Sequence, residues 1–382
     1  MLAKRLQNLN PYVPGEQPKD RVYIKLNANE NPYPPSPEVA KAIKDAADNN
    51  INNVALYPDP DACELRNAIA QMLNKSGGVL CRTLTQDGQC SPSTQDEIPF
   101  DVTPDMIFCG NGSDEVLSFV FYTCFDGDRP LIIPEHTYSF YPVYCGYYNI
   151  PINKVPLKSD WTIDRDKIIA ESVKNDSCTI FANPNAPTGI SIPRSQIREM
   201  LKQYPKDRIF VVDEAYCDFG GESCIPLLKE FDNLIIVRTF SKSLSFAGQR
   251  LGYVISNPDI IKSLFTVKNS FNHFPVDFLT QKAAIAACND VKYYADNAVK
   301  VVRERESFTK FLQDKNWYVI DSSTNFVFAR KDGLDGENIY TAIKKQGILI
   351  RHFATKGIDS FVRISIGTDK QMQTLKDAMN NL

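Results

Sequence analysis

Lys242 stands between two serines, Ser241 and Ser243, and eight residues ahead of Arg250. The full stretch is Arg238-Thr239-Phe240-Ser241-Lys242-Ser243-Leu244-Ser245-Phe246-Ala247-Gly248-Gln249-Arg250. An amine so placed could form a Schiff base with an aldehyde cofactor, while Ser241 and Arg250 hold a phosphate attached to that cofactor. A solvated cationic turn would read the same way, so the stretch decides nothing alone.

What precedes it is more telling. Leu234-Ile235-Ile236-Val237 is short, β-branched and bounded by polar residues, the pattern of a buried strand. Further candidate strands are Met106–Cys109, Leu131–Ile133, Thr179–Ala182, Ile209–Val212 and Gly252–Ile255. Short apolar runs alternating with amphipathic segments predict a mainly parallel sheet with helical crossovers. In such sheets ligands bind outside the carboxyl ends of the strands, so the residues following each run test for a site.

Those residues are chemically rich. Met106–Cys109 leads into Gly110-Asn111-Gly112-Ser113, a glycine turn opening a helix whose first N–H groups could seat a phosphate. An ordinary turn with Ser113 as N-cap fits equally. Leu131–Ile133 leads into Pro134-Glu135-His136-Thr137-Tyr138, bringing an aromatic to the crevice. Thr179–Ala182 ends in the rigid, amide-bearing loop Asn183-Pro184-Asn185-Ala186-Pro187-Thr188-Gly189. Ile209–Val212 ends in Asp213-Glu214-Ala215-Tyr216, and an acid at the tip of an apolar strand is costly to bury without a cation or a donor. A protonated pyridine nitrogen would supply that partner.

Around this sheet the chain reads as three parts: an extended arm over residues 1–35, a larger unit over 36–275 and a smaller α+β unit over 276–382. Prolines crowd the arm near Asn31–Pro37. Ser36 is placed to cap a helix from Pro37 to about Asn49, and Asp61 one that runs to about Leu73. Residues 75–101 hold neither helical nor strand period and read as a surface excursion, with a hairpin across Asp87-Gly88. A long helical pattern from Asp277 to Gln313 leads into short strands at Trp317–Ile320, Phe326–Ala329, Ile348–Ile350 and Phe361–Ile366, with a helix near Glu337–Gln346. Thr368 and Gln371 have capping-box spacing.

Composition narrows the partners. Of 382 residues 43% are apolar and 23% charged, the balance of a globular chain, and the net charge of −3 offers no footprint for nucleic acid or an anionic membrane. Ten cysteines without a Cys-x-x-Cys pair, and three histidines, argue against a disulfide framework or a zinc cluster, so no metal is expected. Met1-Leu2-Ala3-Lys4-Arg5 lacks the apolar core of a signal peptide, and a cytoplasmic protein is expected.

Taken together, Asn183–Gly189, Asp213–Tyr216, Ser241–Arg250 and Val362-Arg363-Ile364-Ser365-Ile366-Gly367-Thr368 resemble the fold-type I, pyridoxal-phosphate-dependent class I/II aminotransferases. Leu26-Asn27-Ala28-Asn29-Glu30-Asn31-Pro32 and Tyr57-Pro58-Asp59-Pro60-Asp61-Ala62 are similar to the branch that acts on histidinol phosphate. The resemblance implies a homodimer that exchanges an amino group between glutamate/2-oxoglutarate and a phosphorylated amino alcohol. The aromatic amino-acid aminotransferases and threonine-phosphate decarboxylase share most of these motifs. It further implies Lys242 as the cofactor-linked base, Asp213 on the ring nitrogen, Tyr216 on the phenolic oxygen and Tyr138 stacked on the ring. Gly112, Ser113, Ser241 and Arg250 would take the phosphate, joined by Tyr57 from the second subunit. Arg363 would bind the substrate carboxylate and Arg351 its phosphate, with Tyr12 and Asn29 closing over it. The family places an asparagine directly before Pro-Thr-Gly; here Ala186 occupies that position, which leaves Asn185 or Asn183 to contact the cofactor.

Overall fold

The computed structural model describes residues 6–7, 9–81 and 98–380; the Asp87-Gly88 hairpin expectation lies outside them. Strand β1 (Ile24–Lys25) belongs to the arm. The next seven are β2 (Ile107–Gly110), β3 (Leu131–Pro134), β4 (Ile152–Val155), β5 (Thr179–Ala182), β6 (Phe210–Asp213), β7 (Leu234–Thr239) and β8 (Gly252–Ile255). They form one sheet in the order β2-β8-β7-β6-β5-β3-β4. Only β8 runs against its neighbours, β2 and β7; the other pairings in this sheet are parallel. Strands β2, β3 and β5 to β8 are buried throughout, as their unbroken apolar runs require when helices cover both faces. The edge strand β4, Ile-Asn-Lys-Val, escaped the sequence reading because two of its four residues are polar.

Ser36 caps the helix Pro37–Asn49, accepting from the Glu38 amide at 3.2 Å. The second helix, Cys63–Ser76, departs from expectation: Ala62 is its N-cap, in the left-handed region (φ 47°). Asp59 rather than Asp61 takes the free amides, those of Asp61 (3.0 Å) and Cys63 (2.7 Å), while Asp61 pairs with Lys268 Nζ at 3.0 Å. The helical pattern from Asp277 onward is two helices, Phe278–Asn289 and Val291–Asp314. Asp290 breaks them apart, with its carboxylate accepting from Ser36 Oγ at 2.5 Å instead of lying on a helix face. The first of the two packs against Pro37–Asn49 and Cys63–Ser76, so its Ala283, Ala284 and Ala287 share the core under the large sheet.

The last strands are β9 (Trp317–Ile320), β10 (Phe326–Lys331), β11 (Ile348–Leu349), β12 (Arg351–His352) and β13 (Val362–Ser365). An antiparallel sheet runs β12-β13-β10-β9, and β11 pairs in parallel with β1, stitching the arm to the C-terminal third. Thr368 and Gln371 close the expected capping box. Among the described residues no helix is long and apolar enough to cross a membrane, and nine cysteines are free thiols.

Candidate active site

The parallel register puts the ends of β5, β6 and β7 side by side, with Ala182 opposite Asp213 and Asp213 opposite Val237. Three chemically different tips therefore meet at one edge. Asp213, only 4% exposed, accepts from the Tyr141 hydroxyl (2.8 Å) and the Ala215 amide (3.1 Å). Burial pushes its carboxyl up to about 6, against the pull of those two donors. No cation meets it among the described side chains, so the position favours a positively charged or proton-donating ligand atom.

Beyond β7 the chain turns over Ser241, and Lys242 Nζ donates to the Ala28 carbonyl at 3.2 Å. It also lies 5.7 Å from the centre of the Tyr216 ring. Asn31 holds this turn from the arm, its amide donating to the carbonyls of Lys242 (3.0 Å) and Ser243 (3.1 Å). Arg238, in the same stretch, faces the other way: it is buried against Glu214 at 2.7 Å and donates to the Gly78 carbonyl at 2.6 Å. That pair braces β7, while Lys242 lines the cavity.

At the end of β2, Asn111 is the N-cap of the helix Gly112–Cys124 but makes no side-chain cap bond. Arg250 arrives here in the left-handed region (φ 55°) and bonds Asp114 at 3.0 Å and Ser241 Oγ at 3.4 Å. Gly112 is itself at φ 79°, and a Cβ there would lie 2.5 Å from Arg250 Nη2. Neither its backbone nor its space admits another residue. Gly112, Ser113, Ser241 and Arg250 thus gather around one helix N-terminus, an arrangement whose charge and free amides suit an anion. Asp114 also accepts from the Tyr138 hydroxyl at 3.0 Å, locking the aromatic beside the seat.

The opposite wall is built by the arm and β12–β13. Arg351 and Arg363 are direct cross-strand partners. Like charges in that register repel, and no carboxylate lies within ion-pair distance of either among the described residues. Arg351 donates to the carbonyls of Pro14 and Val13 (both 3.2 Å), and Arg363 to that of Asn27 (3.2 Å). Arg363 Nε is buried without a partner, and burial lowers its guanidinium below the usual range. Such a pair is completed by an anion. Tyr12 packs on Phe140 with ring centres 5.1 Å apart. Between these walls is a cavity of about 360 Å³ lined by Tyr12, Tyr138, Tyr216, Lys242, Arg351 and Arg363.

Several of the expected residues spend polar groups on protein partners. Asn29, 1% exposed, lines the cavity, and its amide donates to the Tyr216 hydroxyl at 2.9 Å while its Oδ1 accepts from Ser365 at 3.0 Å. In the 183–189 loop, Asn183 is spent on Ile192, donating to its carbonyl and accepting from its amide. Asn185 donates to the His136 carbonyl (2.9 Å) and Thr188 Oγ1 (3.1 Å), leaving only an unpartnered Oδ1, while Ala186 lines the cavity. Tyr57 stands apart, 83% exposed and stacked on Phe274 at 4.5 Å. Tyr141 on Asp213, Asp114 on Arg250, and Asn31 under Lys242 were not foreseen. Only the density of asparagine in Leu26–Pro32 hinted at the last.

The architecture is that of the fold-type I transferases. A solved histidinol-phosphate aminotransferase from Sinorhizobium meliloti, in complex with pyridoxal-5'-phosphate, superposes with a TM-score of 0.82 at 25% identity, covering 100% of this chain and 96% of that one. A Thermus thermophilus aspartate aminotransferase mutant shares the fold with a TM-score of 0.80 at 17% identity, covering 100% and 99% of the two chains. The chain belongs to the class I and II aminotransferase family, whose profile matches residues 21–379. It is 43% identical over 383 residues to the histidinol-phosphate aminotransferase of Syntrophus aciditrophicus, covering 100% of this chain and 98% of the relative. To that of Lactococcus lactis subsp. cremoris it is 41% identical over 380 residues, covering 98% and 97%.

Proposed function

We propose that the chain is a pyridoxal-phosphate-dependent aminotransferase that exchanges an amino group between histidinol phosphate and 2-oxoglutarate, yielding imidazole-acetol phosphate and glutamate. The observation that carries this substrate class is the facing pair Arg351 and Arg363, half-buried cations without acids that line the same cavity as Lys242. Both substrates are anionic: the amino alcohol presents a phosphate, the amino acid two carboxylates. A planar guanidinium fork accepts either in bidentate fashion.

The residues fit the cofactor. A buried carboxylate without a cation, a helix N-terminus without a side-chain cap and an amine bonded only to a backbone carbonyl are three vacant partnerships of complementary charge. Lys242 would hold the group covalently, Asp213 its ring nitrogen, Tyr216 its phenolic oxygen and Tyr138 its ring face. Gly112, Ser113, Ser241 and Arg250 would take its phosphate. Bound there, it supplies an aldehyde that captures amines and a ring that accepts the electron pair left when a carbon loses its proton. Asp213, kept dry by β6 and Tyr141, holds negative charge opposite the ring nitrogen. Lys242 Nζ, once displaced by the substrate amine, is the base that takes the proton from the substrate carbon and returns it. Arg363 and Arg351 fix the substrate so that this carbon faces the amine.

Three finer readings accompany this. The chain acts as a homodimer, supported by the exposed Tyr57, which would reach the cofactor phosphate of a second copy. The boundary expected between residues 275 and 276 is moved here into the helix Val291–Asp314, since the helix Phe278–Asn289 packs on the large core and residues from Ala298 onward join the second core. The enzyme works in the cytoplasm, a reading that rests on composition. The test is substrate turnover: histidinol phosphate with 2-oxoglutarate should give glutamate. Release of carbon dioxide from threonine phosphate, or preference for an aromatic amino acid, would overturn the assignment.

A further inference from the structure

The family motif puts an asparagine amide where this chain has Ala186; Asn185 spends both side-chain N–H groups on His136 and Thr188, and Asn183, which is not among the cavity's lining residues, donates to the Ile192 carbonyl. The structure supplies a different amide. Asn29 Nδ2 donates to the Tyr216 hydroxyl at 2.9 Å. Its orientation is fixed by Ser365, whose Oγ accepts from the Asn29 backbone N–H (2.8 Å) and so sends its own proton to Asn29 Oδ1 (3.0 Å). Asn325 Nδ2 anchors the Asn29 carbonyl at 3.0 Å, and Asn29 is held in the left-handed region at φ 54°. A phenol has one proton to give. With a donor already on its oxygen and no acceptor for its hydrogen among the described residues, the Tyr216 proton is directed into the cavity that Lys242 and Ala186 line.

We propose that Asn29, oriented by Ser365, is a positioning residue that makes Tyr216 an obligate hydrogen-bond donor to the cofactor's phenolic oxygen, taking over the task of the amide missing at position 186. This rests on the reading of the site as a pyridoxal-phosphate site. A donor on that oxygen stabilises its unshared negative charge and so lowers the pKa of the Lys242 nitrogen bonded to the cofactor; losing the donor raises it. The arrangement also ties the arm to β13, the strand that carries Arg363, so one network orders the cofactor oxygen and the substrate clamp.

The experiment is a pH titration of the visible absorbance of the purified protein loaded with pyridoxal 5'-phosphate. Asn29→Asp replaces the donor by an acceptor that draws the Tyr216 proton to itself. It should raise the pKa of the Lys242 nitrogen by about one pH unit, as Tyr216→Phe does, and the double variant should shift no further. Ala186→Asn added to Asn29→Asp should bring the value back down. Should Asn29→Asp fail to fold, Ser365→Ala releases the amide and is expected to give a smaller rise. An unmoved titration in the folded Asn29 or Ser365 variant, with Tyr216→Phe shifting normally, overturns the proposal, as does full additivity in the double variant. A protein that gains no visible band with the cofactor, or keeps that band in Lys242→Ala, defeats the underlying reading instead.

Discussion

The two ends of the cavity are held in different ways. At the sheet end the chain itself supplies polar partners: Asp213 has Tyr141 and Ala215, Arg250 has Asp114 and Ser241, and Tyr138 has Asp114. At the arm end Arg351 and Arg363 face each other, donate to main-chain carbonyls of the arm and lie over the Phe353 ring, with no carboxylate in ion-pair distance among the described residues. The first arrangement suits a resident group that must be oriented before reaction. The second suits ligands that come and go, because a half-buried cation without an acid gains when an anion arrives.

The widest gap should appear with Lys242→Ala, which removes both the covalent anchor and the base. Turnover is expected to fall by about 10⁴-fold or more, with loss of the visible band, as measured by coupled assay and spectrophotometry. Arg363→Ala should lower kcat/KM for glutamate and for the phosphorylated substrate alike, by about 10- to 100-fold, with the cofactor band unchanged. A band lost in that variant would erase the distinction between the two ends. Arg351→Ala sharpens it further: the loss should fall mainly on the phosphorylated substrate. Tyr12→Ala, which removes one packed aromatic from the arm, should cost only about a few-fold in KM.

Asp213 gives a test of the sheet end alone. Its carboxyl is raised from 3.8 to about 6, so the folded apoprotein favours the protonated form. The sign follows: its contribution to stability is complete below about 4 and is lost as pH rises through about 6. Apoprotein melting followed across that window should fall with pH, and Asp213→Asn should flatten the fall while weakening cofactor retention and turnover. Wild-type activity in Asp213→Asn would contradict the assigned role.

Much of the sheet end was legible in the sequence because parallel strands buried on both faces announce themselves as apolar runs, and the residue after each run is then at the crevice. Asp213, Lys242 and Tyr138 were found that way. The arm end was harder. β1, β11 and β12 are two residues long, too short for any period, and the pairing of Arg351 with Arg363 depends on a register that spacing does not encode. Asn29 enters the site only through the family resemblance; its left-handed backbone and its bonds to Ser365 and Tyr216 depend on contacts that the sequence does not spell out. Asp61 failed as a cap for a similar reason: the acid two residues earlier reaches the same amides once Ala62 is left-handed.

A single-turnover experiment reads the amino-group exchange at Lys242 in one step. The purified protein, loaded with pyridoxal 5'-phosphate and freed of excess, is mixed with histidinol phosphate and no keto acid while absorbance and products are followed. The visible band should be lost in proportion to enzyme, one equivalent of imidazole-acetol phosphate should appear, and 2-oxoglutarate should restore the band with release of glutamate. An unchanged band, or a lost band that 2-oxoglutarate fails to restore, would contradict that exchange.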